Sequence, residues 1–187
     1  MDLAELLYQR RSVRDFAVEP VSREVLTQLI DAAIQAPSAV NEQPWSFTVV
    51  RDRNVLARIS REAKAHLLRS PPQGFSADRF RERLSDPDTD ILYGAPALIL
   101  ISSATQGAWA IENCALAAEN LMLAACAEGL GSCWIGLAQP WLRTAEGHGL
   151  LGLPQPEYPV APIIVGHPRS APPPVPRRPA QIRWIGE

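Results

Sequence analysis

Arg10-Arg11-Ser12-Val13-Arg14, followed by Ala36-Pro37-Ser38-Ala39-Val40-Asn41-Glu42-Gln43-Pro44-Trp45, decides how the rest of this chain is read. The first segment gathers three guanidinium groups and a hydroxyl, donors that a phosphate dianion draws from several directions. Run extended, it projects Arg10, Ser12 and Arg14 to one side and Arg11 to the other. The second segment sets small, amide and aromatic residues in a turn. Asn41 and Gln43 each bring a donor and an acceptor, which the polar edge of a flat heterocycle requires. A ligand with a phosphate at one end and a heterocycle at the other suits the pair. Each segment also has a plainer reading: a solvated basic turn after a first helix, and an ordinary helix-to-strand connection. Trp45 leads directly into a strand and reads as core.

The flanking sequence predicts helices and strands in mixed order. Leu3 to Gln9 reads as a short helix capped by Asp2. A second helix opens at Val21-Ser22-Arg23-Glu24 with Leu26, Leu29, Ile30, Ala33 and Ile34 on one face, and Pro37 stops it. Ser46 to Val50 reads as a strand. Asn54 is expected to cap a third helix with the stripe Leu56, Ile59, Ala63, Leu67. Ser70 to Asp90, polar and broken by prolines, reads as a loop or partly helical excursion of the kind that forms lids. Ala97 to Ile101 is an unbroken apolar run and reads as a central strand. A long Ala-rich helix, Ala108 to Glu128, ends at Gly129. Ser132 to Leu137 is a strand or extended turn, Pro140 to His148 a short helix, and Val160 to Val165 the last clear strand. From His167 the chain is Pro-rich and extended, and Ile182-Arg183-Trp184-Ile185 can pair as an edge strand. The whole predicts one domain with a sheet covered by helices on both faces.

Composition narrows the function. The chain has 187 residues, 47% of them apolar, enough for a proper core, and a net charge of −2, which argues against a nucleic-acid binder. Of its 18 basic residues only Lys64 is a lysine; a high-GC genome explains that bias, which still leaves the chain rich in the bidentate phosphate-gripping side chain. Cys114, Cys126 and Cys133 cannot all pair and form no C-x-x-C, so they read as small buried residues in a reducing cytoplasm. His66, His148 and His167 are scattered, and no metal site is expected. The acidic start, without a long apolar run, does not read as a signal peptide. Glu112 and Glu119 argue against a membrane role for the Ala-rich helix.

Gly129-Leu130-Gly131-Ser132-Cys133-Trp134-Ile135-Gly136 follows a helix and lacks the G-x-G-x-x-G spacing, which disfavours a Rossmann site. Its glycines suit close backbone approach to a ligand. No P-loop and no G-x-S-x-G elbow is present. Arg177-Arg178 is either an exposed basic tail or a pair carried to a fixed place by a proline-stiffened segment.

Taken in order, R-R-S-x-R, A-P-S-x-x-N-x-Q-P-W-x-F, the helix with Glu119-Asn120-Leu121-Met122-Leu123-Ala124-Ala125, G-L-G-S-C-W-I-G, I-V-G-H-P and the basic Pro-rich tail resemble the FMN-dependent nitroreductase family. The resemblance implies an α+β nitroreductase-like fold: a central mixed or antiparallel sheet between helical layers, with the C-terminal segment, 167–187, swapped in a homodimer. It implies noncovalent FMN at the dimer interface and NADH or NADPH as co-substrate. Hydride would pass by a ping-pong route through flavin N5 to a small-molecule electron acceptor, a nitroaromatic, quinone or enone. Carried over by position, Arg10, Arg11, Ser12 and Arg14 hold the phosphate and ribityl end with Arg177 or Arg178. Pro37, Ser38, Ala39 and Asn41 reach the ring from the other subunit with Gln43 nearby, and Trp134, Ile135 and Gly136 line the ring. No nucleic-acid or membrane partner and no catalytic side chain is implied. Alternatives are a specialised flavin oxidase or dehydrogenase that never meets NAD(P)H, and a non-catalytic FMN-binding protein.

Overall fold

The computed structural model describes residues 2–72 and 77–186. Four strands, β1 (Trp45–Val50), β2 (Ala97–Ser103), β3 (Gly131–Trp134) and β4 (Tyr158–Gly166), form one antiparallel sheet in the order β1-β2-β4-β3. The apolar run at Ala97 lies in the interior strand β2, and every residue of that strand is buried. Strand periodicity then sorts its side chains: Leu98 and Leu100 enter one core, Ala97, Ile99 and Ile101 the other.

Helices cover both faces. The Leu98 side is packed by α3 (Arg53–Arg69), α4 (Ala77–Ser85), α6 (Gln139–Leu142) and α7 (Ala145–Leu151). The Ile99 side is packed by α2 (Arg23–Ala33) and α5 (Ala110–Ala127). A short α1 (Leu3–Gln9) rests against α5 and buries none of its own residues. The result is the three-layered α+β arrangement expected, with an antiparallel sheet. Among the described residues no helix is long and apolar enough to cross a membrane.

Local chemistry accounts for the element ends. Asp2 and Glu5 form a reciprocal capping box on α1, with bonds of 2.8 and 3.0 Å. Ser22 caps α2. Asp52 caps α3, not Asn54: its Oδ1 accepts from the N–H groups of Asn54 and Val55 at 2.8 and 3.1 Å. Asp52 is the residue with extended backbone at the junction, whereas Asn54 is already inside the first turn. The expected stripe Leu56, Ile59, Ala63 and Leu67 is buried. The single helix expected at 140–148 is two, because Thr144 turns extended and its Oγ1 accepts from Gly147 N–H at 3.2 Å, starting α7 afresh. The edge strand expected at Ile182–Ile185 is absent. A strand needs a neighbour's backbone groups, and residues 173–186 run exposed with no strand of this chain beside them.

The excursion expected at 70–90 contains α4; its residues 73–76 lie outside the described residues. Lys64 fixes the far end of it. Its side chain is 7% exposed, and its Nζ donates to the backbone carbonyls of Asp86 at 2.8 Å, Pro87 at 3.4 Å and Thr89. A compact ammonium suits three converging carbonyls in a way that a planar guanidinium does not. Lys64→Met is expected to lower unfolding free energy by about 2–4 kcal/mol, because the carbonyls lose their donor. Lys64→Arg should fail to restore it. Urea midpoints of the three proteins measure both outcomes.

Candidate functional site

Residues 10–16 lie along the β3 edge of the sheet. Ser12 forms a parallel bridge with Ser132, and Val13 N–H donates to Ser132 C=O at 3.0 Å. Further on, Phe16 bridges Pro168 and Ala17 N–H donates to His167 C=O at 2.8 Å. Two glycines paired across the ladder, Gly131 opposite Gly166, give this segment its bed. A Cβ on Gly131 would lie 2.7 Å from Val13, and one on Gly166 2.5 Å from Pro96 and 2.9 Å from Phe16. The room at Gly131, expected to admit a ligand, is therefore filled by the chain's own Val13. With Val13 and Phe16 buried, Ser12 and Arg14 are left exposed beside β3.

The donors here outnumber the acceptors. Arg11 Nη1 donates to Arg10 C=O at 2.8 Å, and Arg10 Nε pairs with the Glu119 carboxylate on α5 at 3.3 Å. Arg11 Nε and Ser132 Oγ, both buried, have no partner. Buried donors are rarely left so, and flanked by exposed Ser12 and Arg14 they make a set that an anion completes. Donors without acceptors are of the chemistry that a phosphate takes up. Beneath the segment, burial pushes the Cys133 thiol up, opposed by the charges of Arg14 and Arg10 and by Ser12. Burial alone pushes Cys114 up to about 12. Neither is a reactive thiolate at neutral pH.

The second segment is a strained turn. Val40, Asn41 and Gln43 have left-handed φ of 47°, 56° and 50° without a glycine among them. Such conformations cost about 1–3 kcal/mol each and survive where the surroundings impose them, commonly at functional sites. Gln43 N–H donates to Ser38 Oγ at 2.9 Å and Gln43 Nε2 to Asn41 Oδ1 at 2.8 Å. Ala39 N–H donates to Asn113 Oδ1 on α5 at 2.9 Å, and Thr105 Oγ1 to the Glu42 carboxylate at 3.0 Å. Pro37, Asn41 and Gln43 are exposed, Ser38 and Ala39 half-buried. Trp45 packs against the core, as expected.

Gly136 is exposed, a Cβ there would meet nothing within 4 Å, and its N–H has no partner among the described residues. Trp134 is half-buried against the Ile99-side core. Ile135 points into the opposite core, and its N–H donates to Pro162 C=O at 2.8 Å. The structure thus joins Arg10–Arg14 to the Gly131–Trp134 strand and ties the 37–43 turn to another point on α5. Their anchors on α5, Glu119 and Asn113, are six residues apart, about 9 Å of rise, and leave the helix on different sides. Arg177 and Arg178 are exposed, and no hydrogen bond or ion pair among the described residues reaches them. Among the described residues there is no His, Cys, Asp and Glu grouping that could hold a metal. Two contributors went unread in the sequence: Asn113, and the Gly131–Gly166 pair as a bed for residues 13–16.

A family model described as the nitroreductase family matches residues 7–167. A crystal structure of a nitroreductase with bound FMN from Bacteroides fragilis superposes with a TM-score of 0.86, at 25% identity, over 99% of each chain. Rat iodotyrosine deiodinase 1 is 34% identical over 107 residues, 55% of this chain and 37% of that protein. An NADH dehydrogenase of Thermus thermophilus is 39% identical over 74 residues, 38% of this chain and 36% of that one. The chain thus matches little more than a third of the length of these two curated relatives.

Proposed function

The chain belongs to the nitroreductase family, and on that premise we propose that it is an FMN-dependent oxidoreductase, active as a homodimer. It takes hydride from NADH or NADPH and passes it to a small-molecule acceptor, a nitroaromatic, quinone or enone. The observation that carries the reading is the pair of buried unpartnered donors, Arg11 Nε and Ser132 Oγ, beside exposed Ser12 and Arg14. A phosphate supplies the acceptor oxygens they lack.

The flavin ring supplies the redox chemistry when bound, and the protein supplies position, charge and shelter from water. Arg10, Arg11, Ser12 and Arg14 hold the phosphate and ribityl end, with Glu119 steadying Arg10. Gly136 offers its free N–H to the ring edge, Trp134 borders the ring, and Ile135 anchors that stretch from the core side. Pro37, Ser38, Ala39, Asn41 and Gln43 serve the ring in the partner's site, as the family resemblance implies. The tail, 167–187, crosses to the partner within one domain of 1–187 and brings Arg177 or Arg178 to a phosphate.

Exposed apolar residues support a second chain. They include Leu3, Leu7 and Tyr8 on α1, Trp109 just before α5, Ile111 and Leu116 on α5, and Trp184 and Ile185 in the tail. Three free thiols suit a cytoplasmic setting.

Anaerobic addition of NADH or NADPH to the purified protein tests the reading. The expected result is a yellow protein that bleaches and regains its colour when a quinone is added. A colourless protein that cannot be loaded with FMN contradicts it; a yellow protein that neither nucleotide bleaches points to a specialised oxidase or a binding protein. The likeness to rat iodotyrosine deiodinase 1 favours one second reading, reductive dehalogenation, read out as iodide release from an iodotyrosine with a chemical reductant.

A further inference from the structure

The turn at 38–43 is held from within and from without. Within it, Asn41 N–H donates to Ser38 C=O and Glu42 N–H to Ala39 C=O, each at 3.0 Å, beside the two side-chain bonds of Gln43. All of these lie at or near the solvent, where water competes for the same groups. From outside, the Thr105–Glu42 bond is also exposed. The remaining tie is of another kind. Asn113 is 2% exposed, sits in the first turns of α5, and accepts the Ala39 N–H across 74 positions of sequence. A valine with left-handed φ persists where its surroundings impose it, and the residue before it, Ala39, carries this tie.

Asn113 is also an anomaly in its own surroundings. Its Nδ2 is buried with no partner, on a helix face otherwise buried as alanine, cysteine, leucine and methionine. Burying an amide half-satisfied is unfavourable, so packing alone does not explain an asparagine here. Its acceptor oxygen does.

We propose that Asn113 is the positioning residue of the ring-edge turn: its Oδ1 fixes Ala39 N–H, and this sets the left-handed course through Val40, Asn41 and Gln43 that presents their polar groups to the flavin. The role uses only the acceptor. Aspartate at this position keeps that acceptor, since burial in an apolar face favours its protonated form, whose carbonyl oxygen accepts the same N–H; leucine keeps the volume and loses the bond. The proposal rests on the flavin reading for the ligand, but not for the tie between Asn113 and the turn.

Amide hydrogen exchange on the apoprotein and FMN titration, with wild type, Asn113→Leu and Asn113→Asp, test it. In Asn113→Leu, exchange in peptides covering 38–43 should quicken about tenfold while β2 and β4 stay protected, and the FMN dissociation constant should rise about tenfold. Asn113→Asp should stay within about threefold of wild type in both, since a retained acceptor retains the bond. Unchanged exchange of the turn in Asn113→Leu overturns the proposal. So does equal loss in the two variants, and so does loss of protection across β2 and β4, which would make Asn113 a support of the core and not of the turn. If wild type binds no FMN, the flavin reading fails, while the exchange data still decide whether Asn113 holds the turn.

Discussion

Replacing Arg11 and Arg14 together with glutamine is expected to weaken FMN binding by at least about 100-fold, because each charged hydrogen bond to a phosphate is worth about 1.5–3 kcal/mol. Glutamine keeps much of the length of each side chain, so the packing of Val13 and Phe16 on Gly131 and Gly166 stays in place. The fold should survive, since neither guanidinium supports the core: Arg14 is exposed, and among the described residues Arg11 bonds only to the neighbouring Arg10 carbonyl. Fluorescence titration of FMN into the apoprotein, with thermal unfolding as control, separates the two effects. Affinity within about threefold of wild type would mean that the basic segment is only a solvated turn, since no phosphate bond would have been lost.

The second large effect falls on a residue that touches no ligand. Gly131→Ala places a methyl 2.7 Å from both Cβ and Cγ2 of Val13 and 2.8 Å from its Cγ1. Valine is stiff at its first torsion and cannot swing clear. Overpacking of this kind costs about 1–3 kcal/mol. It should also lift residues 10–14 off β3, breaking the Val13 N–H to Ser132 bond and scattering the donors around it. Stability and FMN affinity should therefore fall together. Val13→Gly in the same chain removes the Cβ as well as both methyls, so the two losses should be less than additive, a coupling that a double-mutant cycle reads directly. Additive losses would show that the contact between Val13 and Gly131 does not position the segment.

The sequence made the scaffold legible wherever a local rule decides structure. Helical spacing found the buried stripe of α3, and an unbroken apolar run found the interior strand β2. Local rules misplaced junctions where two residues of similar chemistry compete. Asp52 and Asn54 are both good caps, and backbone geometry chose the first; Thr144 divided a stretch that reads as one helix.

The site was legible as a list of residue types but not as an arrangement. Ser12 meets Ser132, and Ala39 meets Asn113, across spans that no periodicity records. The left-handed turn at Val40–Gln43 has no glycine to announce it, and its tie to Asn113 spans 74 positions. The glycines of 129–136 suit a ligand's approach in sequence, but the space at Gly131 is filled by Val13, brought there by the fold.

Comparing FMN with riboflavin in titrations of the apoprotein measures the phosphate grip most directly. The two ligands share the ring and the ribityl chain and differ only in the phosphate. If Arg11, Ser12, Arg14 and Ser132 take up that group, FMN should bind at least about 100-fold more tightly, and added inorganic phosphate should weaken FMN without affecting riboflavin. Equal affinity for the two flavins, or none for either, would contradict the account.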